Sequence, residues 1–319
     1  MSLKHLNSNS IKAEAQNLGF FACGIAKAEP VDPDTAQRVT HWVQTGNYAS
    51  MDYMARNTDK RLNPDLLMPG VKSIVSVALN YTPAFKPPAN QLQLSVYAYG
   101  KDYHKVVKDK LFELAALLKK NVSDEDLQIR AFCDTAPVLE RYWAWKAGLG
   151  WTGKNHQLII PHAGSMFFLG ELFINVELNY DEPMPSRCGT CHACIDACPT
   201  GAISEGQNEF KSENCLSYQL IENRGELSEK AANAMGEVFY GCDRCQKTCP
   251  WNRFARPSKV SELQPNPQLL NMTTADWQHL TVEEYQQLFK GSAVKRAKYS
   301  GLMRNITTAI NHKNHGENN

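Results

Sequence analysis

Eight of the chain's ten cysteines fall between Cys188 and Cys249, and thiols at that density point to metal chemistry. The first run is Cys188-x2-Cys191-x2-Cys194-x3-Cys198-Pro199. That is the spacing of a [4Fe–4S] ligand run. Short loops bring three thiolates to three corners of one cube, and the fourth, followed by proline, turns away to another cluster. The second run, Cys242-x2-Cys245-x3-Cys249-Pro250, lacks its leading cysteine, and Phe239 stands in that place. Cys215 stands alone between the runs and can supply the missing ligand. The arithmetic closes: Cys188, Cys191, Cys194 and Cys249 hold one cube, and Cys198, Cys215, Cys242 and Cys245 hold the other. Cys-x2-Cys also suits tetrahedral zinc. The full x2-x2-x3-Cys-Pro run, present once complete and once truncated, favours cubanes. Cys23 and Cys133 sit in apolar surroundings and read as buried structural thiols.

Two clusters move single electrons, which need an acceptor, and some 180 residues precede the thiols to hold one. Nucleotide loops do not supply it. Gly148-x4-Gly153-Lys154 has Asn155 where a phosphate loop needs Ser or Thr, and it follows a helix. No Gly-x-Gly-x-x-Gly follows a strand. Asp102-x-His104 begins a corrinoid-ligand box that fails at Val107, so His104 reads as an ordinary helix residue. Asp134, after a strand and just before a proline-containing turn, reads by itself as a helix N-cap. Between Lys290 and Arg304 stand Lys290, Lys295, Arg296, Lys298 and Arg304 with no acidic residue. Such a stretch suits an RNA backbone, or else a basic helix face in solvent.

Several elements must position these groups. Ser8–Leu18 is expected as a helix, Lys72–Leu79 as a strand and Asp102–Lys120 as a helix with apolar residues near a 3.6 period. Gln128–Cys133, Gln157–Ile160 and Met166–Val176 read as strands, and Pro137–Ala147 as a helix opened by its proline. The alternation predicts a sheet flanked by helices, an α/β (α+β) domain over residues 1–180. The polar, proline-containing stretch at 181–187 reads as a linker into a two-cluster ferredoxin-like domain over 181–257. A helical segment follows over 258–319, ending in a polar tail at His312–Asn319. The 319 residues are 43% hydrophobic and 21% charged, which fits a globular protein and excludes disorder. The net charge of +1 restricts any nucleic-acid surface to a local patch. Residues 1–12 lack an apolar signal core, and the longest apolar runs are too short to span a bilayer. The expectation is a cytoplasmic protein.

The cysteine runs resemble those of the epoxyqueuosine reductase family when taken with three further stretches. These are Cys133-Asp134-Thr135-Ala136-Pro137-Val138-Leu139-Glu140-Arg141, Gly148-Leu149-Gly150-Trp151-Thr152-Gly153-Lys154-Asn155, and Tyr97-x-Tyr99-Gly100-Lys101-Asp102-Tyr103-His104. Cys215-Leu216-Ser217-Tyr218 belongs to the same resemblance, which runs from about residue 10 to 310. It implies reduction of epoxyqueuosine to queuosine at the wobble position of tRNA, by a monomer using cobalamin, two [4Fe–4S] clusters and an unidentified electron donor. It implies a nitroreductase-like cobalamin domain. Asp134 falls where the family has its proton donor, with Tyr97 across the same pocket. Arg56, Asn155, Leu158, Ser165, Leu169, Ser217 and Asp243 are implied contacts of the corrin; each has a plain structural alternative. Lys295, Arg296, Lys298 and Arg304 become implied tRNA contacts, and Tyr142, Trp143 and Trp145 stand as base-stacking candidates or as core. Many members carry a C-terminal helical-repeat extension, which a chain stopping at Asn319 is expected to lack. Two other readings are a small-molecule corrinoid reductase of the reductive dehalogenase type and a plain iron–sulfur electron carrier. The missing Tat-type signal and the basic stretch weigh against the first, and the long N-terminal domain against the second.

Overall fold

Residues 6–120, 126–205 and 210–316 are described in a computed structural model of the protein. Its strands are β1 (Ala22–Lys27), β2 (Ser73–Asn80), β3 (Gln93–Leu94), β4 (Ile129–Phe132), β5 (Trp151–Thr152), β6 (Leu158–Ile159), β7 (Phe167–Ile174) and β8 (Val238–Tyr240). Four of them form one sheet in the order β1-β2-β7-β4, and every pairing in it is antiparallel. The β-branched run Ser73–Leu79 is buried along its whole length, so β2 lies inside the sheet and not at its edge.

The two faces of the sheet carry separate cores. Val75, Val77, Leu79, Leu172 and Ile174 face helices Ser8–Asn17 and Tyr103–Lys120. Ile74, Ala78, Leu169 and Phe173 face the short helix Glu140–Lys146 with Tyr142, Trp143 and Ala144. One rung crosses all four strands on this second side: Gly24 pairs with Ser76, Ser76 with Glu171 and Glu171 with Phe132. A Cβ at Gly24 would lie 2.0 Å from the Ala147 carbonyl oxygen, so the helix end approaches the strand as closely as glycine allows.

The expected helix at Pro137 begins three residues later, at Glu140 with Leu139 as its N-cap. Thr135 N–H bonds Cys133 O and Val138 N–H bonds Ala136 O, so Pro137 sits in the tight return from Asp134 and not in a first helical turn. Strand β1 and the helix Pro33–Gln44, capped by Asp32 with proline in its first turn, were not anticipated. The stretch after β7 holds no regular element until Ala193, yet it is anchored: Asp181 accepts from Ile25 N (2.8 Å) and pairs with Lys12 (2.5 Å).

The last helix runs from Lys298 to Gly316, through His312 where composition suggested a tail; residues 317–319 lie outside the described residues. It does not pack as an appendage. Leu302, Ile306, Ala309 and Ile310 share one hydrophobic cluster with Ile11, Val75, Leu172, Leu216 and Phe239. Buried Asn305 donates to Leu220 O (2.8 Å) and Phe239 O (2.9 Å), tying this helix to the thiol-bearing segment. Among the described residues no helix is long and apolar enough to cross a membrane.

Candidate functional site

The eight thiols stand in two groups. Cys188, Cys191, Cys194 and Cys249 face one another around a cavity of about 260 Å³, with Lys154, Arg187 and Arg253 on its wall. Cations beside thiolates favour the charged form that ligates metal. Cys198, Cys215, Cys242 and Cys245 face one another in the second group, and Cys245 also lies within electrostatic reach of Cys194, so the two groups adjoin. Burial disfavours the Cys198 thiolate, but amide N–H groups of Ile203, Thr200 and Ala202 outweigh it and lower the thiol's pKa. The Gly-Lys-Asn loop that fails as a phosphate loop serves both groups. Lys154 Nζ donates to Cys191 O (3.1 Å) and Asn155 Nδ2 to Cys245 O (3.3 Å). A four-thiolate donor set is what a [4Fe–4S] cluster requires, amide N–H···S bonds tune its potential, and the residues of each group fit one cluster.

Asp134 is no helix cap. It follows the buried Cys133 at the end of β4 and takes φ 54°, a left-handed conformation that aspartate tolerates better than most residues. Its N–H donates to Glu140 Oε1 (2.5 Å), which holds the turn. The carboxylate swings to the helix that starts at Tyr103. It accepts from Tyr103 OH and from His104 Nε2 (2.9 Å), while His104 Nδ1 lies 2.6 Å from Asp102 Oδ1. The result is a carboxylate–imidazole–carboxylate line. Asp134 stands among these partners, yet 52% of its side chain is open to solvent.

Charge follows from this geometry. Burial opposes ionisation of Asp134, but the His104 and Tyr103 hydrogen bonds outweigh it and hold its carboxyl below the ordinary range. Burial likewise opposes the His104 cation, and its bonds to Asp102 and Asp134 prevail, raising its pKa to about 9. Glu140 behaves oppositely: burial, then the nearby Asp134 charge, pushes it up to about 8. At neutral pH the set therefore keeps one proton on His104 and one on Glu140.

Tyr97 joins this set through Tyr103, their ring centroids 6.2 Å apart and edge-on. Its hydroxyl donates to Tyr240 OH (3.2 Å), which donates to Ala293 O (2.8 Å). Buried Asp243, between two cysteines of the second group, accepts from Ser95 Oγ and from Val96 N (2.9 Å), and so fixes the Tyr97 turn to the thiol loop. Ser165 Oγ accepts from Asn252 (3.0 Å) and Gln246 (3.3 Å), and Leu158 and Leu169 are buried in the core under helix Glu140–Lys146. Arg56 lies in an exposed turn, and Ser217 is half-buried with its N–H serving Cys215.

The basic residues divide. Arg304 donates to the carbonyls of Gln219 (3.0 Å), Asn223 (3.1 Å) and Gly225, so its guanidinium holds backbone. Arg296 forms a two-pronged pair with Glu222 (2.8 Å to each oxygen) and lies 5.4 Å over the Tyr53 ring. Tyr53 is 45% exposed and lies within electrostatic reach of Asp134. Lys295 and Lys298 are exposed. Trp143 and Tyr142 are core, and half-buried Trp145 donates to Met184 O (3.0 Å), so none of the three forms a stacking platform. Sequence reasoning passed over Tyr53, Tyr103, His104 and Glu140. The adjacent Asp102-Tyr103-His104 was the one signal that could have found two of them.

A family model described as "Epoxyqueuosine reductase QueG, DUF1730" matches residues 61–135, and one described as "4Fe-4S double cluster binding domain" matches residues 187–252. The chain is 42% identical to an epoxyqueuosine reductase of Cellulophaga algicola over 96% of its own length and 99% of the relative's. It is 45% identical to one of Leadbetterella byssophila, over 94% and 97%. Its fold is similar to a crystal structure of epoxyqueuosine reductase with an epoxyqueuosine-modified tRNA-Tyr stem loop, at a TM-score of 0.87 and 27% identity, covering 95% of this chain and 80% of that one.

Proposed function

The chain belongs to the epoxyqueuosine reductase family of oxidoreductases, and on that premise we propose that it reduces epoxyqueuosine in tRNA with cobalamin bound over Asp134. The observation that carries this reading is the line Asp102–His104–Asp134, which ends on a carboxylate open to solvent. A corrin-sized group needs such an opening with polar groups free at its rim. The Tyr103 and Tyr97 rings beside Asp134 fit it, and Arg56 and Ser217 would be further contacts. When bound, cobalamin supplies a low-valent cobalt nucleophile for the epoxide ring. The two four-thiol groups would hold clusters that supply electrons one at a time.

The protein's own work is proton handling and positioning. Asp134 stands open to solvent and presents an oxygen toward the reacting group. His104 carries the proton at Nε2 and passes it through Asp134 Oδ2 to the epoxide oxygen. Asp102 accepts from Nδ1 of the cation and fixes the ring, so Nε2–H faces Asp134. Tyr103, stacked on Phe168 at 4.3 Å, holds the carboxylate in register. Tyr53, beneath the Glu222-bound Arg296, suits a splayed anticodon base, and exposed Lys295 and Lys298 on the same stretch suit its phosphates. The protein acts in the cytoplasm as a monomer.

The test is anaerobic reconstitution with iron, sulfide and cobalamin, metal analysis, and assay on tRNA bearing epoxyqueuosine. Retained corrin with about eight irons per chain and formation of queuosine are expected. Iron without retained corrin would overturn the cobalamin reading and leave an electron carrier.

A further inference from the structure

Unpaired positive charge collects around the first thiol group. Its cavity is walled by Lys154, Arg187 and Arg253, and no acidic residue lines it. Arg187 and Arg253 are exposed, and the segment beyond Cys249 adds exposed Arg256 and Lys259. From Pro250 to Lys259 the chain carries no carboxylate side chain. Among the described residues, Arg187, Arg253, Arg256 and Lys259 form no ion pair. Arg296 and Arg304 differ, the first held by Glu222 and the second by backbone carbonyls. Exposed acids on the adjoining chain are Glu182 and Asp196, neither on the cavity wall, and Glu205 lies 2.7 Å from His192. The two thiol groups also face different ways. Cys191 is exposed, alone among the ten cysteines, and Lys154 Nζ donates to its carbonyl (3.1 Å). The second group is tied inward, because Asp243 beside Cys242 accepts from Ser95 and Val96 in the turn that carries Tyr97.

We propose that the cationic rim of the first thiol group, Arg187, Arg253 and Arg256, is the docking face for an acidic protein that carries one electron at a time. The inference rests on the two-cluster reading given above. Each encounter moves one electron: the centre of the carrier is oxidised by one and the first cluster is reduced by one. No bond forms or breaks and no proton moves. Passage of the electron to the second cluster readies the first for another encounter. Two encounters supply the two electrons that epoxide reduction consumes.

Electron-transfer encounters bury little surface, so charge does much of the steering. A carrier must also bring its own centre close to a cluster, and exposed Cys191 marks where one is open. An RNA backbone would meet the same cations, but unstacked bases need free rings. The aromatics of this face are taken. Trp251 lies edge-on to Trp151 (4.9 Å), Phe254 to His162 (5.4 Å), and Arg253 covers the Phe254 ring at 4.6 Å. Charge without a stacking platform suits a folded acidic partner.

The test uses the iron-loaded full chain and a plant-type [2Fe–2S] ferredoxin of net negative charge as the probe. Surface plasmon resonance across a salt series reads binding, and bleaching of the cluster absorbance reads electron transfer; neither needs tRNA or cobalamin. Wild-type affinity should fall steeply as salt rises. Arg253→Glu with Arg256→Glu should raise Kd about tenfold or more at low ionic strength, flatten the salt dependence and slow bleaching by ferredoxin. Arg256→Glu alone lies off the cavity wall and should move both readings the same way at wild-type iron content, which keeps the test if the double variant loses iron. Wild-type affinity and salt dependence in the iron-loaded Arg256→Glu and double variants overturns the docking face. So do variants that keep ferredoxin binding and lose tRNA binding, which would assign the face to RNA. A chain that takes up no iron overturns the cluster reading instead.

Discussion

The thiol groups and the acid site adjoin in space but are built by opposite means. Each thiol group takes its ligands from short runs and one outlier, all between Cys188 and Cys249. The acid site draws on Tyr53, Tyr97, Asp102 to His104, Asp134, Glu140 and Arg296, which only the sheet and the last helices bring together. A ligand set made of one residue type at fixed spacing is a local property of the chain. A proton-handling set made of mixed types is a property of the topology. The first tolerates distortion elsewhere; the second depends on the register of β4 against β7.

The sharpest way to separate the two regions is Asp134→Ala. It should lower turnover about 10²–10⁴-fold while iron content stays at the wild-type value and the melting temperature falls only modestly, from alanine at a positive φ. A parallel loss of iron would mean that the regions are one structural unit. Next in size is His104→Gln, which keeps a donor to Asp134 but has no proton to release. Turnover should fall about tenfold or more. The wild-type profile should decline as pH rises through about 9, where His104 loses its proton, and the variant should lack that limb. The sign follows from a raised folded-state pKa: the ion pairs of His104 contribute fully below about 6.5 and are lost as pH rises through about 9. A variant that retained the limb would assign it elsewhere.

On the thiol side, Cys215→Ala should halve the iron, from about eight to about four per chain, as elemental analysis reads it. Unchanged iron would remove Cys215 from the ligand set. The smallest effect tests the boundary of the acid site. Arg304→Ala should cost about 1–3 kcal/mol through unmet backbone carbonyls, a few degrees in melting temperature, while the folded variant binds tRNA as before. Weakened tRNA binding at an unaltered melting temperature would return Arg304 to the RNA surface.

What was legible follows the same division. The thiol runs, the strands at 73–80 and 167–174 and the helix from Tyr103 could be read because their signals are local. His104 was taken for an ordinary helix residue because its partner Asp134 lies 30 positions on, across a strand pairing that no local pattern encodes. Counting positive charge found the stretch from Lys290 to Arg304 but could not see that Glu222 and three carbonyls already engage two of its arginines. Proline at 137 promised a helix start, and the return from Asp134 claimed it first.

The hydrophobic cluster shared by Ile11 and Ile310 has a consequence for the order of events at the ribosome. The helix from Lys298, made last, packs against β8 and the helix Leu216–Ile221, which adjoin Cys242 and Cys215. The thiols at 188–249, with Cys242 packed against that same cluster, therefore emerge while the body around them is still open. Iron and sulfide delivered during synthesis would meet accessible cysteines, and closure by the last helix would then seal what had been assembled.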